Sequence, residues 1–212
     1  MEKIKNEVYE AIIGGDLKRI EALVETALDS GVDPTVLLND HMITAMDEIG
    51  ARFEKGEIYV PEMLLSAHTM QAGLKLLKPL LVDSGVEPSG KIVLATVKGD
   101  LHDIGKNLVG MMAEGAGYEV VDLGVNVAPE DIVAALNDNK PDVLGLSALL
   151  TTTMVMMKTI VDAVSEAGLR NDVKIIIGGA PVDQDYADEI GADGFGRDAG
   201  QAVQVIRSFK GT

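Results

Sequence analysis

The chain has 212 residues, 47% of them hydrophobic, enough for one ordinary domain or two small ones around a real core. Its 34 acidic against 18 basic residues give a formal charge of −16, which disfavours nucleic acid and anionic membranes and leaves small molecules or proteins as partners. The absence of cysteine excludes disulfides, iron–sulfur clusters and thiolate zinc sites, so any metal must be held by histidine or oxygen.

The opening MEKIKNEVYEAI reads as an amphipathic helix rather than a signal peptide, and no apolar run approaches the ~18 residues that span a bilayer. A cytoplasmic location is the expectation. Apolar residues then recur at helical spacing: Ile4, Val8 and Ile12; Leu17, Ile20, Leu23, Val24 and Leu28; Val36, Leu37, Ile43, Met46 and Ile49. The run VPEMLLSAHTMQAGLKLLKPLL makes a fourth segment, with Pro61 suited to a first helical turn. Short connections such as SGVDP favour antiparallel neighbours, so residues 1–82 are expected to form a small helical bundle.

The polar segment VDSGVEPSGK, Val82 to Lys91, breaks this pattern and reads as a linker centred on residues 83–90. Its Gly85 and Gly90 can absorb large dihedral changes, which makes it the expected hinge. From residue 91 to 212, strand and helix signals alternate. KIVLATV, YEVVDLG, DVLGLSA, VKIIIGG and the short DGFG read as strands; Ile104–Gly115, Pro129–Asn137, Thr153–Ala167, Gln184–Ile190 and Ala199–Phe209 read as helices. Five strands alternating with helices predict a doubly wound α/β domain, an open parallel sheet covered on both faces and following the bundle. Ligands on such sheets bind beyond the carboxyl ends of the strands.

Three motifs fall at those ends. KGDLHDIGKN follows the first strand, SALLTTT the third and GGAP the fourth. Small residues there, Gly105, Ser147, Gly178 and Gly179 among them, leave room for an inserted group, and the paired glycines point to close approach of a ligand or a turn with unusual dihedrals. Taken alone, His102 in a loop would be an ordinary surface residue, and Asp100 or, better placed, Asp103 would cap the helix beginning at Ile104. His41 and His68 lie in helical patterns and read as packed or solvated residues, and Met111, Met112, Met154, Met156 and Met157 as packing.

Together, Asp100-Leu101-His102-Asp103-Ile104-Gly105, then 41 residues, Ser147-Ala148-Leu149, then 28 residues, and Gly178-Gly179 resemble the Asp-x-His-x-x-Gly, Ser-x-Leu, Gly-Gly signature of cobalamin-binding domains. The preceding bundle, with FEKGEIYVPEMLLSAHTM, is similar to the cap module of cobalamin-dependent methionine synthase and of free-standing corrinoid proteins in methylotrophic and acetogenic methyltransferase systems.

The resemblance implies a flavodoxin-like or Rossmann-like domain holding cobalamin or a related corrinoid, with His102 as the lower ligand to cobalt. Imidazole is a competent donor to such a metal, and a ligating histidine usually gives its other N–H to a carboxylate, here Asp100. Thr153 stands where the family has the serine that extends this relay. Gly105, Ser147, Leu149 and Thr151 match positions against the cofactor or the base of its nucleotide tail, and Gly178 and Gly179 those that let the tail pass. Pro181 departs from the family, and Tyr59, Val60 and Met63 are candidates for the apolar side chains of the cap.

The implied function is a methyl carrier. A substrate-specific methyltransferase places a methyl group on Co(I), and a second methyltransferase passes it to a folate or thiol acceptor. Such a chain does not complete catalysis alone, and occasional oxidation calls for a reductive activase. The donor, whether a methylamine, a quaternary amine, methanol or an aryl methyl ether, would be chosen by the partner enzyme. The alternatives are the cobalamin subunit of an adenosylcobalamin-dependent mutase, for which a helical cap is atypical, and a cobalamin-dependent sensor or regulator, which normally adds a basic DNA-binding segment.

Overall fold

The structure is a computed structural model that describes residues 2–83 and 87–209. Packing divides it into two units: residues up to Ser89 with Met111–Tyr118, and Gly90–Gly110 with Glu119 onward.

In the first unit, α1 (Glu2–Ile13) and α2 (Ile20–Asp29) are joined through Gly15. The SGVDP connection then works residue by residue. Gly31 takes a left-handed φ of 82°, the Asp33 side chain accepts from Thr35 N at 2.8 Å and Val36 N at 3.2 Å, and Pro34 opens the short helix α3 (Pro34–Val36). This helix runs without a break into a π-helical segment, Leu37–Ile43, and then α4 (Thr44–Glu54). The wide turn was not legible in the sequence. It brings Leu37 and Met42, five residues apart and both fully buried, onto one face.

Helix α5 (Val60–Asp83) closes the unit and runs one residue into the segment read as a linker. Glu62 accepts from Tyr59 N at 3.0 Å at its start. A side chain at Gly73 would lie 2.8 Å from Met42 Cε, so this glycine is what lets α5 approach the neighbouring helices closely. The expected hinge falls partly on Ser84, Gly85 and Val86, which lie outside the described residues.

The second unit contains β1 (Lys91–Thr96), β2 (Glu119–Asp122), β3 (Val143–Ser147), β4 (Lys174–Gly178) and β5 (Gly194–Gly196), paired in parallel in the order β2-β1-β3-β4-β5. Helix α6 (Ile104–Gly115) begins in this unit, which also holds α7 (Pro129–Asn139), α8 (Thr151–Glu166), α9 (Gln184–Ile190) and α10 (Ala199–Ser208). The expected α/β arrangement is therefore observed, with shifts at three helices: α7 extends to Asn139, α8 starts at Thr151, two residues before its expected start, and ends at Glu166, and α10 ends at Ser208, one residue short. Continuous apolar runs make these strands because both faces are covered. Val93, Ala95, Leu144, Leu146, Ile175 and Ile177 pack with Ile132, Met157, Ile160 and Val164 in one core cluster.

Register places the site. Thr96 pairs with Ser147, Ser147 with Gly178 and Gly178 with Gly196, so the last residues of four strands form one row across the sheet. The order reverses at β1, between β2 and β3, which is the switch point where open parallel sheets bind ligands.

Behind this edge, Lys106 is only 4% exposed, and its Nζ donates to Asp122 Oδ2 and to Asn107 Oδ1, the latter at 2.8 Å. A buried ammonium that loses its counter-charge costs more than the pair contributes. Asp122→Asn is expected to destabilise the protein by about 2 kcal/mol, below the full cost for a buried pair because Asp122 is partly solvated. Adding Lys106→Met should recover most of that loss in urea unfolding.

Candidate functional site

The segment between β1 and α6 folds back on itself as soon as the strand ends. Asp100 N donates to Val97 O at 3.1 Å and Gly99 has φ 86°, the third-position requirement of a type II turn. Buried Thr96 donates through Oγ1 to His102 O at 3.0 Å, fixing the far side of the loop.

The turn delivers the Asp100 side chain, fully buried, to the end of β3. Its Oδ1 accepts from His102 N at 3.1 Å and lies 2.7 Å from His102 Nδ1. Its Oδ2 accepts from Thr153 Oγ1 at 2.6 Å, Leu149 N at 2.8 Å and Leu150 N at 3.3 Å. Burial pushes the acid upward, but the hydrogen bonds from Thr153, His102 and the Leu149 amide outweigh it and hold Asp100 well below the ordinary carboxylate range. Leu149 and Leu150 precede α8, so the carboxylate also sits at a helix N-terminus, where negative charge is favoured.

An ionised Asp100 can only accept, so the proton of the neutral imidazole lies on Nδ1 and the lone pair on Nε2. The His102 side chain is 53% exposed while that of Asp100 is 0% exposed. Around the ring, Leu101 (70%), Ile104 (74%), Leu149 (44%) and Leu150 (42%) leave apolar surface open. A Cβ at Gly105, in the first turn of α6, would meet nothing within 4 Å. A histidine with a directed lone pair, set in exposed aliphatic surface beside a glycine that adds no bulk, fits a planar, largely apolar macrocycle carrying a metal.

The remaining residues divide. Ser147 and Gly178 stand in the register row, and Thr151 is exposed at the first position of α8, on the solvent side relative to buried Thr153. Gly179 has φ 130°, and a Cβ there would lie 1.8 Å from Ala148 O. Of the two readings open for the glycine pair, the unusual dihedral is therefore the one observed at Gly179, whose close neighbour is the protein's own backbone. Asp103, expected to cap α6, directly precedes that helix, and its carboxylate accepts from the Asn107 side chain, Nδ2 at 3.1 Å, rather than from a first-turn amide. Of the cap candidates, Tyr59 and Val60 are exposed, whereas Met63 is 1% exposed and belongs to the buried core. His68 is exposed and His41 half-buried, and Met112 and Met157 are buried, in line with solvation and packing roles. The three backbone amides on Asp100, from His102, Leu149 and Leu150, could not be found from sequence, because a main-chain donor has no residue signature.

A B12 binding domain family matches residues 90–204, and a second B12 binding domain family matches residues 4–78. The chain belongs to the B12-binding corrinoid proteins. A corrinoid protein of Desulfitobacterium hafniense is 39% identical over 209 residues, 97% of this chain and 97% of that one. The trimethylamine corrinoid protein of Methanosarcina barkeri is also 39% identical over 209 residues, 98% of this chain and 96% of its own. In the crystal structure of the methanol:cobalamin methyltransferase complex MtaBC from Methanosarcina barkeri, one chain matches with a TM-score of 0.87 at 31% identity, over 99% of this chain and 81% of that one. The cofactor of this corrinoid protein is accordingly cobalamin or a related corrinoid. Among the described residues no helix is long and apolar enough to cross a membrane.

Two outcomes follow from the geometry. Gly179→Ala should destabilise the cofactor-free protein by about 4 kcal/mol or more, since the clash is with backbone and φ is unfavourable, and chemical unfolding without corrinoid measures it. Asp100 has a depressed folded pKa, so its contribution is complete above the unfolded carboxylate pKa and is lost as pH falls through the folded value. Asp100→Asn should lower stability at neutral pH and flatten the acid limb of the stability–pH curve.

Proposed function

We propose that this corrinoid protein is the methyl-carrying subunit of a methyltransferase system, with His102 as its lower cobalt ligand. The observation that carries the ligand assignment is the Asp100 carboxylate, which engages His102 Nδ1 at 2.7 Å and Thr153 Oγ1 at 2.6 Å and leaves Nε2 on the exposed side. The methylamine names of several relatives and the methanol:cobalamin complex support the carrier reading.

When bound, the corrinoid supplies a cobalt centre able to take up and give up a methyl group. The residues of the chain then have separable tasks. His102 would hold the metal through Nε2. Asp100 holds the Nδ1 proton and orients the ring, and Thr153 with the amides of Leu149 and Leu150 keeps Asp100 ionised. Leu101, Ile104, Leu149 and Leu150 offer apolar surface to the macrocycle, and Gly105 gives it room. Ser147, Thr151, Gly178 and Gly179 lie along the edge proposed for the nucleotide tail.

The proposal divides the chain into a cap at residues 1–82, a connection at 83–90 and the corrinoid-binding domain at 91–212. Its partners are a substrate-specific methyltransferase, a second methyltransferase acting on a folate or thiol, and a reductive activase, in the cytoplasm. A mutase subunit or a sensor would share the cofactor but not transfer methyl groups between enzymes.

Reconstitution tests this reading. Protein refolded with hydroxocobalamin should keep red cofactor through gel filtration, and its Co(II) form should show nitrogen hyperfine splitting that His102→Ala removes. Methyl exchange with a candidate methyltransferase should follow. Splitting that survives in His102→Ala sinks the ligand assignment, and rearrangement supported by adenosylcobalamin sinks the carrier reading.

A further inference from the structure

The chain from Gly124 to Val127 runs beside the end of β1 as an extension of the sheet. Thr96 N donates to Gly124 O at 3.0 Å, Val127 N donates to Thr96 O at 3.0 Å, and Val97 and Val127 form a parallel bridge. Between these contacts stands Asn126, with φ 56°. Among the described residues the other non-glycine with positive φ is Lys140, which is accounted for as the left-handed end of α7. Asn126 terminates no helix. A non-glycine residue holds such a conformation only where its surroundings impose it, and asparagine tolerates it best.

What imposes it is a two-point grip on the turn before His102. Asn126 N donates to Asp100 O at 3.0 Å, and Asn126 Oδ1 accepts from Gly99 N at 2.8 Å. Gly99 N belongs to the peptide inside the type II turn and has no role in closing it; the closing bond is Asp100 N to Val97 O. Asp100 is thereby fixed at both ends of its own backbone, by Val97 on the nitrogen side and Asn126 on the oxygen side. Rotation of either peptide would swing a carboxylate that must meet His102 Nδ1 and Thr153 Oγ1 together.

We propose that Asn126 is a positioning residue for His102, acting through Gly99 and Asp100 to aim the carboxylate that fixes the imidazole tautomer. No stability role accounts for the side chain equally well, because Asn126 is exposed and Gly99 N, freed from it, could take water instead. The metal consequence rests on His102 being the ligand, whereas the tautomer consequence does not.

The test uses the full chain without corrinoid. Long-range proton–nitrogen correlation NMR, at a pH where the imidazole is neutral, reads the ratio of Nδ1–H to Nε2–H at His102, identified by the signal that His102→Ala removes. Asn126→Gly keeps the backbone conformation and deletes the acceptor. It should lower that ratio by about fivefold, the worth of one hydrogen bond, while the unfolding midpoint barely moves. Asn126→Asp keeps an acceptor oxygen and tolerates the same φ, so it should restore the wild-type ratio. Asn126→Ser, with a side chain too short to grip the turn, should behave like the glycine variant and replaces it if that variant does not fold.

A wild-type ratio in both the glycine and serine variants overturns the proposal, as does a loss that Asn126→Asp fails to rescue. In corrinoid-loaded protein the same order should appear in the nitrogen splitting of Co(II). If wild-type protein lacks that splitting while the tautomer effect holds, the ligand assignment fails and the positioning role stands.

Discussion

A carboxylate with no exposed surface stays ionised only if the protein replaces the water it gave up, and Asp100 imposes that constraint on everything around it. Its five donor contacts come from two places: the His102 amide and ring from its own loop, and the Leu149 and Leu150 amides with the Thr153 hydroxyl from the start of α8. No single segment could satisfy it. The loop after β1 and the start of α8 must therefore meet, and they do because β1 and β3 are neighbours in register, with Thr96 opposite Ser147. The pairing of two strands is thus a condition for the charge state of one side chain.

The same demand explains the glycines better than a need for empty space does. Gly99 is required by the turn that brings Asp100 round, and a Cβ there would in fact approach only Thr153 Cγ2, at 3.6 Å. Its constraint is dihedral. At Gly179 both constraints act, since φ is 130° and the carbonyl of Ala148 occupies the place of a side chain. That contact lies one residue from Leu149, so the chain after β4 packs against the segment that donates to Asp100. Gly105 is different, open on its side-chain face, and is the glycine whose absence of bulk has no explanation within the protein.

The strands and their order of appearance were legible in the sequence because buried parallel strands are short apolar runs set off by turn residues, and the bounds of α6 and α9 came out as expected. The residues of the relay were legible because Asp, His and a hydroxyl carry their chemistry in their identity. What escaped has a common cause. The π-helical turn at Leu37–Ile43 changes the helical period by one residue, which a pattern of apolar positions tolerates without visible disruption. The Leu149 and Leu150 amides and the left-handed Asn126 act through the main chain or through backbone dihedrals, which side-chain chemistry does not announce. Of the cap candidates, that Met63 is buried while Tyr59 and Val60 are exposed was not legible either, because helical position alone does not tell which apolar residues of α5 turn inward.

The split in exposure between the two relay residues is what a carrier requires. A histidine that must bind a metal from one side and release it needs its Nε2 accessible, yet a fully solvated ion pair would be screened and weak. Here the carboxylate is wholly buried and the ring half-exposed, so the orienting interaction is made on the dry side and Nε2, the nitrogen proposed for the metal, is the one turned away from Asp100. Moving the pair outward would loosen the tautomer, and moving it inward would close off the metal. The depth is set by Thr153 and the Leu149 and Leu150 amides just before α8, because they draw Oδ2 into the protein while Oδ1 stays with the ring. A hydroxyl bonded to the carboxylate and not to the ring therefore governs how far His102 stands out from the protein.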